Sequence, residues 1–169
     1  LLLGAGCQPL LVTSAAQAGL PLRPATPYDF FALRERARKL AAAPYAAPRV
    51  THADLLETVD FDAYQTISFK PDMTLWPGPE SVFPVRLFHL GRYFKLPVRM
   101  HVVQHGAAHE IRYGRDVFSY SDAKLAARLP GDLGFAGFRL MEPAGETDWL
   151  AFLGASYFRS AGAEGQYGM

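Results

Sequence analysis

Two short runs in the last third of the chain carry the residue types best suited to holding a flat polar ligand. The first is Asp132-Leu133-Gly134-Phe135-Ala136-Gly137-Phe138-Arg139, and the second is Phe152-Leu153-Gly154-Ala155-Ser156-Tyr157-Phe158-Arg159. In each, glycines and other small residues alternate with aromatics, and the run closes on arginine. Glycine inside a strand-like run weakens it and marks a bulge or a close approach of another backbone or a ligand. An aromatic ring beside a guanidinium can stack on a sugar ring and donate to its hydroxyls. The same pattern also suits a packed sheet core with its arginines turned outward. The residues alone leave both readings open.

Other chemistry-bearing groups are weaker candidates. His101, His105 and His109 are spaced by four, which on a helix would place three imidazoles on one stripe fit for a metal. Val102-Val103 reads as strand, however, and Gly106 interrupts the stretch. Extended, the spacing spreads the rings over roughly 26 Å at about 3.3 Å per residue. No metal site is expected, and the histidines are read as solvent-facing strand and turn residues. Glycoside chemistry needs two carboxyl groups about 5 to 10 Å apart, and Glu110, Asp116, Glu142, Glu146 and Asp148 are available without a local motif. No Gly-x-Ser-x-Gly elbow or phosphate loop is present. The single cysteine, Cys7, allows no internal disulfide.

Between Glu80 and Glu110 no acidic residue occurs, while Arg86, Arg92, Lys95 and Arg99 gather near Phe88, Tyr93 and Phe94. Cations interleaved with aromatics can bind single-stranded nucleic acid. The run from Gly134 to Phe138 misses the spacing of an RNA-recognition strand by one residue. A net charge of +1 over 169 residues supplies no general attraction to polyanions. Nucleic acid is therefore not an expected partner, and no cofactor is expected.

The elements that must position these groups follow from periodicity. Half of the residues are apolar, enough for a domain with a true core. Leu1 to Val12 is an apolar run broken by Gln8 and Pro9, then Ala16-Gln17-Ala18 offers the small-x-small pattern of signal peptidase. The run is too short for a permanent span. Residues 1–18 are read as the remnant of a signal peptide cleaved before Gly19, and residues 19–27 as a proline-containing linker. A lipoprotein signal on Cys7 is the rival, with Gly4 standing where a branched apolar residue is wanted. Thr26-Pro27 then suggests an N-cap for an amphipathic helix over Tyr28 to Ala42, with Phe30, Leu33, Ala37 and Leu40 at helical spacing. A second short helix is expected over Thr51 to Val59, with Thr51 and Asp54 as a capping pair.

After that the period changes to two. Strands are expected over Gln65–Phe69, Phe83–Leu90, Val98–Val103, His109–Tyr113, Gly134–Met141 and Trp149–Phe158, separated by glycine and proline turns. Helices first and then strands with short connections argue for a mainly β fold, an antiparallel β-sandwich with N-terminal helices.

Several of these segments bear a family resemblance. Tyr64-Gln65-Thr66-Ile67-Ser68-Phe69, Leu75-Trp76 and Phe88-His89-Leu90-Gly91-Arg92-Tyr93-Phe94 resemble the periplasmic osmoregulated glucan biosynthesis proteins, forms G and D. Asp132 to Phe138, Leu153 to Arg159, and Gln166-Tyr167-Gly168 are the most specific parts of the match. The resemblance implies a periplasmic protein whose sandwich is similar to galactose mutarotase, and it covers residues 28–169 as the N-terminal part of that domain. It implies work on the backbone of β-1,2-linked glucans, by binding and processing or, alternatively, as a non-catalytic scaffold touching the synthesis machinery at the inner membrane. Some members resemble β-1,2-glucan endohydrolases with paired acids. Family proteins are about three times longer, with those acids placed past Met169, so no catalytic residue is assigned. The sandwich is then expected to be incomplete, one wall of a glucan cleft. Tyr157, Arg159 and Tyr167, with Trp76 behind them, are the expected carbohydrate contacts, and each also fits the core or the sheet surface.

Overall fold

The computed structural model describes residues 19–78, 83–144, 146–154 and 156–162. The segment 1–18, read as a signal peptide, lies outside them, as does Tyr167. The fold is mainly antiparallel β, with short helices concentrated toward the N-terminal side and a sandwich-like core. Within residues 19–27, expected as a linker, the chain runs along a sheet edge. Arg112 N–H donates to the Pro21 carbonyl and Arg23 N–H to the Glu110 carbonyl, at 2.8 and 2.9 Å. Strand β1 (Thr26–Pro27) pairs with Ala107 and Ala108.

Helix α1 (Phe30–Ala42) is therefore capped by Asp29 rather than by Thr26. The Asp29 carboxylate accepts from Phe31 N and Ala32 N at 3.0 and 3.3 Å, satisfying N–H groups that a helix start leaves unpaired. The expected apolar stripe is present, yet no residue of α1 is buried. Helical spacing creates an apolar face, but only a packed layer buries one. Helix α2 (Ala53–Glu57) starts from His52 in a left-handed conformation with no side-chain cap, so the expected Thr51–Asp54 pair does not form. Helix α3 (Phe61–Gln65), capped by Asp60, ends on Gln65, the residue expected to begin the next strand.

Three sheets follow. Strands β2 (Ile67–Phe69) and β6 (Phe118–Tyr120) form a ribbon. Strands β4 (His101–Gln104) and β5 (Ala107–Glu110) form a hairpin that β1 extends. The third sheet has the order β3 (Val85–His89), β7 (Phe135–Met141), β8 (Asp148–Leu153) and β9 (Tyr157–Ser160). The stretch expected as one strand over Trp149–Phe158 is thus a hairpin, because Gly154 takes a φ of 63° and turns the chain. Helix α4 (Ala123–Arg128), capped by Asp122, joins β6 to β7.

The core lies between the third sheet and the β2–β6 ribbon. Val85, Leu87 and His89 point inward while Arg86 and Phe88 are only partly buried, the period-two alternation read from sequence. Phe118 of the ribbon meets Phe69, His89 and Phe135 at ring separations of 5.5, 5.0 and 6.1 Å. His89 sits in this aromatic box as a neutral ring. Its Nδ1 lies 2.6 Å from the Leu90 carbonyl, which can only accept, so Nδ1 carries the proton. Nε2 then accepts from the Tyr113 hydroxyl at 3.1 Å. Burial pushes the His89 imidazole below its ordinary pKa. Among the described residues no helix is long and apolar enough to cross a membrane.

Candidate functional site

The meander β7–β8–β9 puts the two arginine-terminated runs side by side. Register pairs Arg86 with Arg139, Arg139 with Ala151, and Ala151 with Arg159. One transverse row of the sheet thus reads Arg86, Arg139, Ala151, Arg159. Two residues along the strands the next row reads Phe88, Gly137, Leu153, Tyr157. Both rows lie on the face turned away from Val85 and Leu87, because side chains two apart share a face. Gly137 is demanded by the backbone. A Cβ there would collide with the Phe152 carbonyl oxygen of the neighbouring strand, and its absence leaves the middle of the aromatic row low.

The turn Leu90 to Phe94 closes over one end of that row. Gly91 bridges to Phe94, and a Cβ on Gly91 would press on the Tyr64 ring at 3.0 Å. The tight turn thrusts Tyr93 into solvent, where it is 72% exposed, and brings the Phe94 ring to 6.1 Å from that of Tyr157, at an interplanar angle of 51°. Both rings line an open cleft of about 680 Å³ whose lining also includes Arg49, Arg92, Tyr93 and Lys95. A smaller, more apolar cavity of about 330 Å³ shares Arg92, Tyr93, Phe94 and Leu153 with it and reaches Tyr64 and Phe88. The sizes suit one or a few sugar rings.

Electrostatics at the rim are largely settled within the protein. Glu57 of α2 pairs with Lys95 and lies 3.1 Å from Arg92 Nε, and Lys95 holds its carboxyl below the usual carboxylate range. Arg92 also donates to the Glu57 carbonyl at 2.9 Å. Inside, burial pushes the Tyr64 phenol up to about 12, so it stays protonated and donates to the His89 carbonyl at 3.2 Å. The described lining of the larger cleft offers stacking surfaces and cationic donors and no carboxylate.

The residues expected to touch carbohydrate separate. Tyr157 forms a wall of the cleft, 47% exposed. Arg159 lies two residues further along β9 on the same face, with its guanidinium 3.4 Å from the Asp148 carboxylate. Trp76, at a φ of 49°, packs against the core cluster and is not among the cleft-lining residues. Tyr167 falls outside the described residues. The sequence reading missed Tyr93 and Phe94 as partners of Tyr157, although it singled out their cluster with Arg92 and Lys95. The available signal was Gly91 before an aromatic pair, in a turn that presents Tyr93 and leaves Phe94 half-buried against the core.

The fold and this face define an antiparallel β domain with an aromatic and cationic cleft on one sheet surface. Residues 28–169 match the model of the family described as periplasmic glucan biosynthesis protein, MdoG, and the chain belongs to that family. It is 48% identical over 164 residues to glucans biosynthesis protein D 1 of Ralstonia nicotianae, an alignment covering 95% of this chain and 31% of that protein. It is 48% identical over 143 residues to glucans biosynthesis protein D of Xylella fastidiosa strain M12, covering 83% of this chain and 27% of the relative. Against glucans biosynthesis protein D of Stenotrophomonas maltophilia K279a the identity is 46% over 144 residues, with 84% and 27% covered. The chain thus spans under a third of the length of these relatives.

Proposed function

We propose that this chain forms a wall of a saccharide-binding cleft in a periplasmic glucan biosynthesis protein, and that its ligand is the β-1,2-linked glucan backbone. The observation that carries the reading is the pair Phe94 and Tyr157, set with the protruding Tyr93 around an open cleft. Sugar rings have apolar faces and polar edges. Aromatic walls take the faces, while Arg92, Lys95 and Arg49 donate to the hydroxyls at the edges. Membership of the glucan biosynthesis family supports the choice of ligand. Export by a cleavable signal within residues 1–18 belongs to the same proposal, as does residues 28–169 being one part of a larger glucan-handling sandwich. Calorimetric titration with β-1,2-gluco-oligosaccharides tests it. Heat of binding that Tyr157→Ala reduces is expected; no heat at millimolar ligand would remove the reading.

A further inference from the structure

Arg86 and Arg139 face each other directly across β3 and β7. Like charges opposite one another in a ladder are destabilising, and here both side chains are partly buried. Arg86 Nε donates to Thr74 Oγ1 at 3.2 Å, and Thr74 is itself buried, so the guanidinium is held in place. The Arg139 guanidinium lies over the Phe88 ring, 5.3 Å from its centre, and its Nε is buried with no hydrogen-bond partner. Among the described residues no carboxylate pairs with either. Arg23, Arg38, Arg92, Arg99 and Arg159, by contrast, each lie within ion-pair distance of an acid. Burial and the charge of Arg139 both push Arg86 below its ordinary pKa, as expected for two cations sharing a site without an anion.

We propose that Arg86 and Arg139 bind an oxyanion, a phosphate or a carboxylate, between their guanidinium forks. Two planar forks fixed by packing suit such a group, which accepts several hydrogen bonds at once. An anion there also turns the like-charge contact into two favourable ones. The arginine row is two residues along the strands from the row Phe88, Gly137, Leu153, Tyr157, about 7 Å at the rise of a strand. An anionic group carried by a saccharide in the cleft therefore reaches it. That last link rests on the glucan reading; the anion site itself does not.

The test is calorimetric titration of the chain with inorganic phosphate, together with its thermal midpoint in phosphate and in chloride at equal ionic strength. Binding and a raised midpoint are expected. Arg86→Gln and Arg139→Gln should each weaken phosphate binding about tenfold or more, the worth of one charged hydrogen bond, and abolish the midpoint shift. In chloride Arg86→Gln should be no less stable than the parent, because it relieves the repulsion, so this variant carries the test if Arg139→Gln unfolds through loss of the Phe88 contact. No phosphate binding, or binding unchanged in Arg86→Gln, overturns the proposal. Glucose 6-phosphate and neutral β-1,2-gluco-oligosaccharides separate the sources. If phosphate binds and the neutral oligosaccharide does not, the anion site stands and the glucan reading falls. If the oligosaccharide binds and phosphate does not, the reverse holds.

Discussion

The row Leu87, Phe138, Phe152, Phe158 crosses all four strands of the third sheet on its inner face, and its two ends are treated differently. At the β3 end Leu87 is 2% exposed, while at the β9 end Phe158 is 65% exposed. The rings between them form a continuous ladder, Phe138 on Phe152 at 4.9 Å and Phe152 on Phe158 at 5.9 Å. Side-chain type and strand pattern are alike at both ends. What differs is the covering layer: the β2–β6 ribbon packs Phe118 onto the β3–β7 half, and no described residue does the same over β9. Burial is a property of the layer, and the same apolar face contributes stability only where something sits on it.

Substitutions can break that contrast. Leu87→Ala should cost the most, about 2–5 kcal/mol, as a fully buried leucine leaves a cavity, read by urea denaturation. A loss under 1 kcal/mol would show the covered half to be loosely packed. Gly137→Ala should come next, about 1–3 kcal/mol, because the added methyl meets the Phe152 carbonyl and must part β7 from β8.

Mild acidity, between pH 7.5 and 5.5, probes the covered end through His89. In the unfolded chain His89 takes up a proton near its ordinary pKa of about 6.5, but in the folded protein burial holds it neutral to lower pH. The unfolded state then binds more protons, so stability is full above about pH 6.5 and falls as pH drops below it, by at most about 1.4 kcal/mol per pH unit for this one group. Denaturation midpoints at pH 7.5 and 5.5 in the parent and in His89→Phe check it. An equal slope in both would put the acid sensitivity elsewhere.

The uncovered half should respond in function before it responds in stability. Tyr157→Ala is expected to weaken gluco-oligosaccharide binding about tenfold, the order of one lost stacking contact of about 1–1.5 kcal/mol, with folding changed by about 0.5 kcal/mol or less. Phe158→Ser should be the smallest effect, within about 0.5 kcal/mol. A large loss there would mean that β9 is covered in solution.

Much of the sheet was legible along the chain. The alternation over Val85 to His89 and the glycine-aromatic run ending at Arg139 gave strands close to those observed, because period two is a local property of the pleat. Local pattern misled where a competing local structure was stronger. Asp60 caps a helix that consumes the start of an expected strand, and Gly154 splits another into a hairpin. Of the expected contact residues, Tyr157 and Arg159 fall on one face, and Trp76 turns to the core.

Residue order by itself determined the period of the strands and the arginine at the close of each aromatic run, since these depend on neighbours along the chain. Only the tertiary structure decided that Arg86 faces Arg139, that Phe94 reaches Tyr157, and that Leu87 is covered while Phe158 is not. Those facts depend on strand register and on which layer packs where, and both arise from contacts between residues tens of positions apart, which no local pattern encodes.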